Sequence, residues 1–158
     1  LVDDATLLRE RLQEIKDWAD FVVIDTPPTP SMLHVQIYMA TDYMIYPSTC
    51  EILALEGLQK SITHMERLNK NRQLFDFPPA RLLGIQPTMY DIRTNAHGYG
   101  ISLITKAFKD HTWPPLPMRT IWRDASWARR ILFAHAHRHN ATAEAWALID
   151  RVQNGVAT

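Results

Sequence analysis

Apolar residues at three- and four-residue intervals mark helices along much of this chain. Leu8, Leu12, Ile15 and Ala19 fall on one stripe of residues 5–18, with Arg and Glu opposite, the pattern of an amphipathic helix. The run "FVVI" (21–24) lacks that spacing and suits a strand covered on both faces of a parallel sheet. Pro27, Pro28 and Pro30 exclude helix or ladder until Ser31, which is placed to cap a helix running to Thr41. "YMIYP" (43–47) predicts a second short strand, closed by a proline. Leu55, Leu58, Ile62, Met65 and Leu68 give the clearest helix, over 52–70. "ARLLGIQPT" (80–88) predicts a third strand and "PPLPMRTI" (114–121) a fourth, with helices over 100–111, 123–133 and 141–153. Strands alternating with crossover helices imply an α/β fold with a mainly parallel sheet. No internal repeat or low-complexity linker divides the chain, so residues 1–158 are expected to form a single α/β domain.

Composition narrows the function classes. At 158 residues, 46% hydrophobic and 22% charged, the chain is long enough for one ordinary core. Its 17 basic residues balance 17 acidic ones, so any surface for nucleic acid or membrane must be local. The single cysteine, Cys50, excludes an internal disulfide framework and an iron–sulfur cluster held by this chain alone, and fits a reducing cytosol. The N-terminal stretch is charged and amphipathic, unlike a signal peptide. No apolar run approaches the roughly 20 residues that span a bilayer. The chain opens on leucine and enters a helical pattern at once, as expected of a stretch from within a longer protein.

In open α/β sheets, ligands bind beyond the carboxyl ends of the strands. Asp25 follows the first predicted strand, Ser48 and Thr49 the second and Thr88 the third, with Arg119 near the end of the fourth. Four apolar residues running into Asp25 have the shape of a Walker B strand, whose carboxylate holds a water on Mg²⁺ or orients an attacking water. A strand that merely ends in a turn has the same shape. The two prolines after Thr26 favour the functional reading, because they pre-set a loop that must sit still beside a phosphate.

Three stretches in order, "FVVIDTPPTP", "MATDYMIYPSTCEILALEGLQKSI" and "GIQPTMYDIRTN", resemble the ParA/Soj family of partitioning ATPases. These belong to the ParA/MinD-like, deviant Walker A branch of the P-loop NTPase fold. The resemblance runs from about Trp18 to Gln153, with "MRTIWRDASWARR" matching more loosely. It implies binding of ATP and Mg²⁺, ATP-dependent homodimerisation, nonspecific DNA binding by the ATP-bound dimer, and hydrolysis stimulated by a ParB-like centromere-binding protein. A cytoplasmic, nucleoid-associated role in plasmid or chromosome partition would follow. By position, Asp25 matches the Walker B aspartate, the catalytic and Mg²⁺-holding carboxylate, acting on the metal through water. Asp25, Thr26 and Pro27 open the second switch region. Thr88, Met89 and Pro117 match segments at the base end of the nucleotide site. Arg93, Arg119 and Arg123 match basic positions on the DNA-facing surface.

One departure bears directly on catalysis. The five glycines, at 57, 84, 98, 100 and 155, form no G-x-x-x-x-G-K-[ST] loop, and the first-switch aspartate is missing too. Without that loop the β- and γ-phosphates have no cradle, so this chain alone is expected to be inactive. Two explanations stand: a C-terminal portion of a complete ATPase, incomplete at its N-terminus, or a relative that has lost catalysis. The first is favoured, because a sheet missing its central strand should fold poorly. Two rivals remain, a non-catalytic interaction module built on the ParA fold and a MinD-like positioning ATPase. The latter would carry a Lys-rich amphipathic C-terminal helix, whereas "ATAEAWALIDRVQNGVAT" carries one Arg, so no membrane partner is expected.

Several residues have plainer readings. Arg93, Arg119, Arg123, Arg129 and Arg130 fit either a phosphate-contact patch or ordinary surface ion pairs, for instance Arg123 with Asp91 or Asp124. His135, His137 and His139 could share a face and bind zinc, but no thiol or carboxylate lies at convincing spacing. Cys50 is expected to pack, and Trp146, with Ile149 and Val152, to face the core.

Overall fold

The computed structural model describes residues 2–26 and 31–157, with side chains from residue 5 onward. Its elements run α1 (Val2–Gln13), α2 (Met32–Ala40), β1 (Tyr43–Ser48), α3 (Ile52–Gln73), β2 (Arg81–Pro87), α4 (Asn95–Phe108), a 3₁₀ turn (Lys109–His111), α5 (Ile121–Trp127), α6 (Leu132–His135) and α7 (Asn140–Val156). β1 and β2 form the sheet. The Arg81 amide donates to the Asp42 carbonyl and the Thr88 amide to that of Ser48. Both strands therefore advance together, in parallel, with α3 as the crossover.

The chain divides into two compact units, Leu1–Met44 with Gln59–Arg81, and Ile45–Leu58 with Leu82–Thr158. In the first, α1 packs on α2, and Ile37, Met39, Ala40, Met65, Leu68 and Ala80 are buried. Arg72, 1% exposed, sits among them. Its Nε donates to the Pro78 carbonyl and its Nη1 to those of Tyr38, Met39 and Thr41. The side chain thus gathers the carbonyls left open at the end of α2, which have no helical partner of their own. In the second unit Ile85 and Ile104 are fully buried. Gly100 brings α4 so close to the Cys50 carbonyl that a Cβ there would collide with it. Cys50 is buried, as packing predicts, and that burial, with Glu51 beside it, pushes the thiol above its ordinary value.

Four expectations need correction. Residues 21–24 form no strand; Phe21, Val22 and Val23 are 50%, 51% and 91% exposed, and among the described residues no strand lies alongside to supply a ladder. Residues 114–121 form no strand either. They follow β2 in parallel through two isolated bridges, Ile85 to Thr112 and Tyr90 to Pro117, because Pro114, Pro115 and Pro117 have no N–H to continue a ladder. The helix expected over 123–133 breaks after Trp127, where Arg129 takes φ 51°. Trp146 is 53% exposed and lies against Phe133 at 4.6 Å between ring centroids. The buried face of α7 is instead Ala141, Thr142 and Ala145. The remaining shifts are at helix ends. α1 stops at Gln13 and gives way to i→i+3 turns through Trp18, while α4 starts five residues early, at Asn95, and runs through Gly98 and Gly100 to Phe108.

Candidate functional site

β2 ends at Pro87, and the chain leaves it through a tight left-handed step. Met89 has φ 54°, a region that non-glycine residues enter only under strain. The step is held from both sides: Thr88 N–H donates to the Ser48 carbonyl (2.8 Å), and Tyr90 N–H to that of Leu116 (3.1 Å). Leu116 N–H donates to the Pro87 carbonyl and Met118 N–H to that of Tyr90, both at 2.8 Å. Two loops are so laced together along the sheet's carboxyl edge. Beneath them Gln86, 3% exposed, donates through Nε2 to the carbonyls of Pro87 and Pro114. The support is rigid, and it turns Met89 outward, 64% exposed.

An open groove of about 1180 Å³ lies over these loops, somewhat roomier than the ~300–1,000 Å³ of a typical small-molecule site. Thr88, Met89 and Pro117 line it, and so do Arg93, Arg119 and Arg123. Six of the residues singled out from sequence are therefore gathered in one place in the second unit. Asp25 and Thr26 belong to the first unit, exposed and outside any helix or strand; Pro27 lies outside the described residues.

The three arginines differ in what they already hold. Arg93 grips Asp91 through Nε to Oδ1 (2.9 Å) and Nη2 to Oδ2 (2.8 Å), and its amide donates to Oδ1 as well. The Asp91 carboxyl drops to about 2, first through the side-chain hydrogen bonds from Arg93. Arg119 holds Glu144 across both carboxylate oxygens, and that pairing raises its guanidinium further. Arg123 is exposed and makes no ion pair among the described residues. The Asp91–Arg93 pair has a local sequence signal, acid and base two residues apart; Arg119 and Glu144, 25 apart, have none. Trp122 and His139 also line the groove wall, although the sequence offered His139 only as a zinc candidate. His139 caps α7, its Nδ1 accepting from Ala141 N–H. Among the described residues no group of three or more His, Cys, Asp or Glu is placed to hold a metal ion.

A family model described as an AAA domain matches residues 1–76. The chain is 30% identical over 114 residues to the chromosome partitioning protein ParA of Myxococcus xanthus, covering 72% of this chain and 39% of that protein. It is 29% identical over 119 residues to the chromosome-partitioning ATPase Soj of Treponema pallidum, covering 75% and 46%. The chain belongs to the ParA/Soj family. It also matches the structure of cobyrinic acid a,c-diamide synthase from Mycobacterium smegmatis with bound ADP and magnesium. That match has a TM-score of 0.64 at 26% identity and covers 96% of this chain and 55% of the other. The fold is that of the P-loop NTPases, with a parallel sheet. This ParA/Soj chain spans less than half the length of its two partitioning relatives.

The residues present divide a nucleotide into a part they fit and a part they do not. The groove has room for a nucleoside and an apolar wall in Met89, Leu116, Pro117 and Met118. For a triphosphate and Mg²⁺ there is no glycine-rich loop in the sequence, and Asp25 stands exposed. No hydrolytic step can be derived from these residues alone.

Proposed function

We propose that this chain forms the base-binding part of a ParA-type ATP site, in a protein that acts in DNA partition. The observation that carries the reading is the groove at the end of β2, where a strained Met89 and Pro117 face one open space. The Thr88 side chain and the carbonyls of Pro117 and Met118 offer polar groups to an adenine edge, since the Leu116 and Met118 amides are already engaged, and Met89 and Pro117 offer an apolar surface to its face. In the complete site, Asp25, with Thr26 and Pro27 beside it, holds Mg²⁺ through water and positions the attacking water; the phosphate cradle comes from a glycine-rich loop that this chain does not contain. ATP then joins two copies, a ParB-like protein stimulates turnover, and nonspecific DNA is bound through Arg93, Arg119 and Arg123 at the nucleoid. The similarity to a chromosome-partitioning ATPase and a chromosome partitioning protein supports this reading, as does the shared fold.

The test is nuclear magnetic resonance of the labelled chain titrated with adenosine. Amide shifts concentrated at Thr88, Met89 and residues 116–118 are expected. Shifts elsewhere, or none at saturating adenosine, would remove the base site from this groove.

A further inference from the structure

The end of α5 carries a feature that the groove does not use. Arg129 N–H donates to the Ser126 carbonyl and Arg130 N–H to that of Ala125, both at 3.0 Å. This pair of bonds closes a helix through one left-handed residue, a place that glycine fills without strain. Here Arg129 fills it, at φ 51°. A strained arginine where the backbone asks for glycine points to a use for its side chain.

The surroundings say what that use is. Residues 126–131 are all exposed, with Trp127 at 87% and Ile131 at 70%. Residues 119–139 contain five arginines, at 119, 123, 129, 130 and 138, and one acid, Asp124, in a chain with no net charge. Glu144 neutralises Arg119; Arg129, Arg130 and Arg138 make no ion pair among the described residues. A large aromatic and an aliphatic side chain therefore stand in water within a short basic turn.

We propose that the Trp127–Ile131 turn docks an acidic peptide segment of a partner protein, with an apolar side chain of that segment set against Trp127 and Ile131. Tryptophan and arginine are the residues that dominate protein–protein contacts. Duplex DNA would satisfy the arginines but leave Trp127 and Ile131 against hydrated phosphates. A lipid surface calls for a longer apolar face than two side chains provide. A short peptide with acidic flanks and an apolar centre matches both charge and footprint. None of the turn's residues lines the groove, so this site stands or falls independently of the nucleotide reading.

Fluorescence anisotropy with a labelled peptide of glutamates around a central pair of leucines tests this. Duplex DNA and phosphatidylserine vesicles serve as parallel probes. Trp127→Ala and Arg129→Gly should each weaken peptide binding about tenfold, and Arg129→Gly should also raise the melting temperature by relieving the backbone. That second readout separates lost binding from lost folding. The proposal is overturned if the parent chain does not bind the peptide, if Arg129→Gly binds it as well as the parent, or if these variants weaken only DNA or vesicle binding.

Discussion

Arg93, Arg119 and Arg123 are one residue type in one groove, yet their ion pairs set them apart. Arg93 and Arg119 must exchange a carboxylate for any phosphate they meet, whereas Arg123 need exchange only water. In DNA-binding assays, Arg123→Ala should therefore lower the salt slope by about one unit of log K against log salt, and Arg93→Ala should lower it less. Equal losses from the two would contradict this ranking. The Asp91–Arg93 pair makes a second prediction. The Asp91 carboxyl lies below its ordinary value of 3.8, at about 2, so the folded state holds that proton less tightly than the unfolded chain. Its stabilising contribution is complete above the ordinary value and is lost as pH falls from 3.8 toward 2. Carboxyl resonance titration should place the Asp91 midpoint near 2 in the parent and back near the ordinary value in Arg93→Ala. Salt at high concentration should narrow that difference, since Arg93 is largely exposed.

At the scale of elements, the chain was legible where periodicity and packing agree. α2, α3, β1 and β2 lie within a few residues of their predicted bounds, because their apolar residues meet a core. The misses have physical causes that no local pattern carries. "FVVI" is strand-like in itself, but a strand forms only beside a partner, and Phe21, Val22 and Val23 stand exposed instead. The stretch after Trp113 runs beside β2 but cannot ladder, as its prolines give no donors. α5 stops at Trp127 because of a left-handed Arg129, which nothing in the sequence "SWARRIL" announces. Arg72 lies beyond the helix predicted over 52–70, yet it is buried and holds four carbonyls of the first unit. Replacing it by Ala should cost that unit about 3 kcal/mol, because each abandoned buried carbonyl carries its own desolvation penalty. Urea unfolding measures this; a loss under about 0.5 kcal/mol, the range of an ordinary surface substitution, would show that water replaces the guanidinium.

For the molecule as a whole, the candidate site was only partly readable from sequence. Thr88, Met89 and Pro117, matched to the base site by family resemblance, line one groove. The carboxylate partner of Arg119, 25 residues away, and the groove wall at Trp122 and His139 depend on chain crossings visible only in three dimensions. Asp25 and the groove residues lie in different compact units. The proposed nucleoside site lies in this chain's groove, and the sequence contains no glycine-rich loop to cradle the phosphates. Titration calorimetry comparing adenosine with ATP and Mg²⁺ on the purified chain tests that division most directly. Dissociation constants within about threefold of each other, less than 1 kcal/mol apart, are predicted. ATP binding about a hundredfold tighter would contradict the account by revealing a phosphate site among these residues, and an absence of binding by both would remove the nucleoside site.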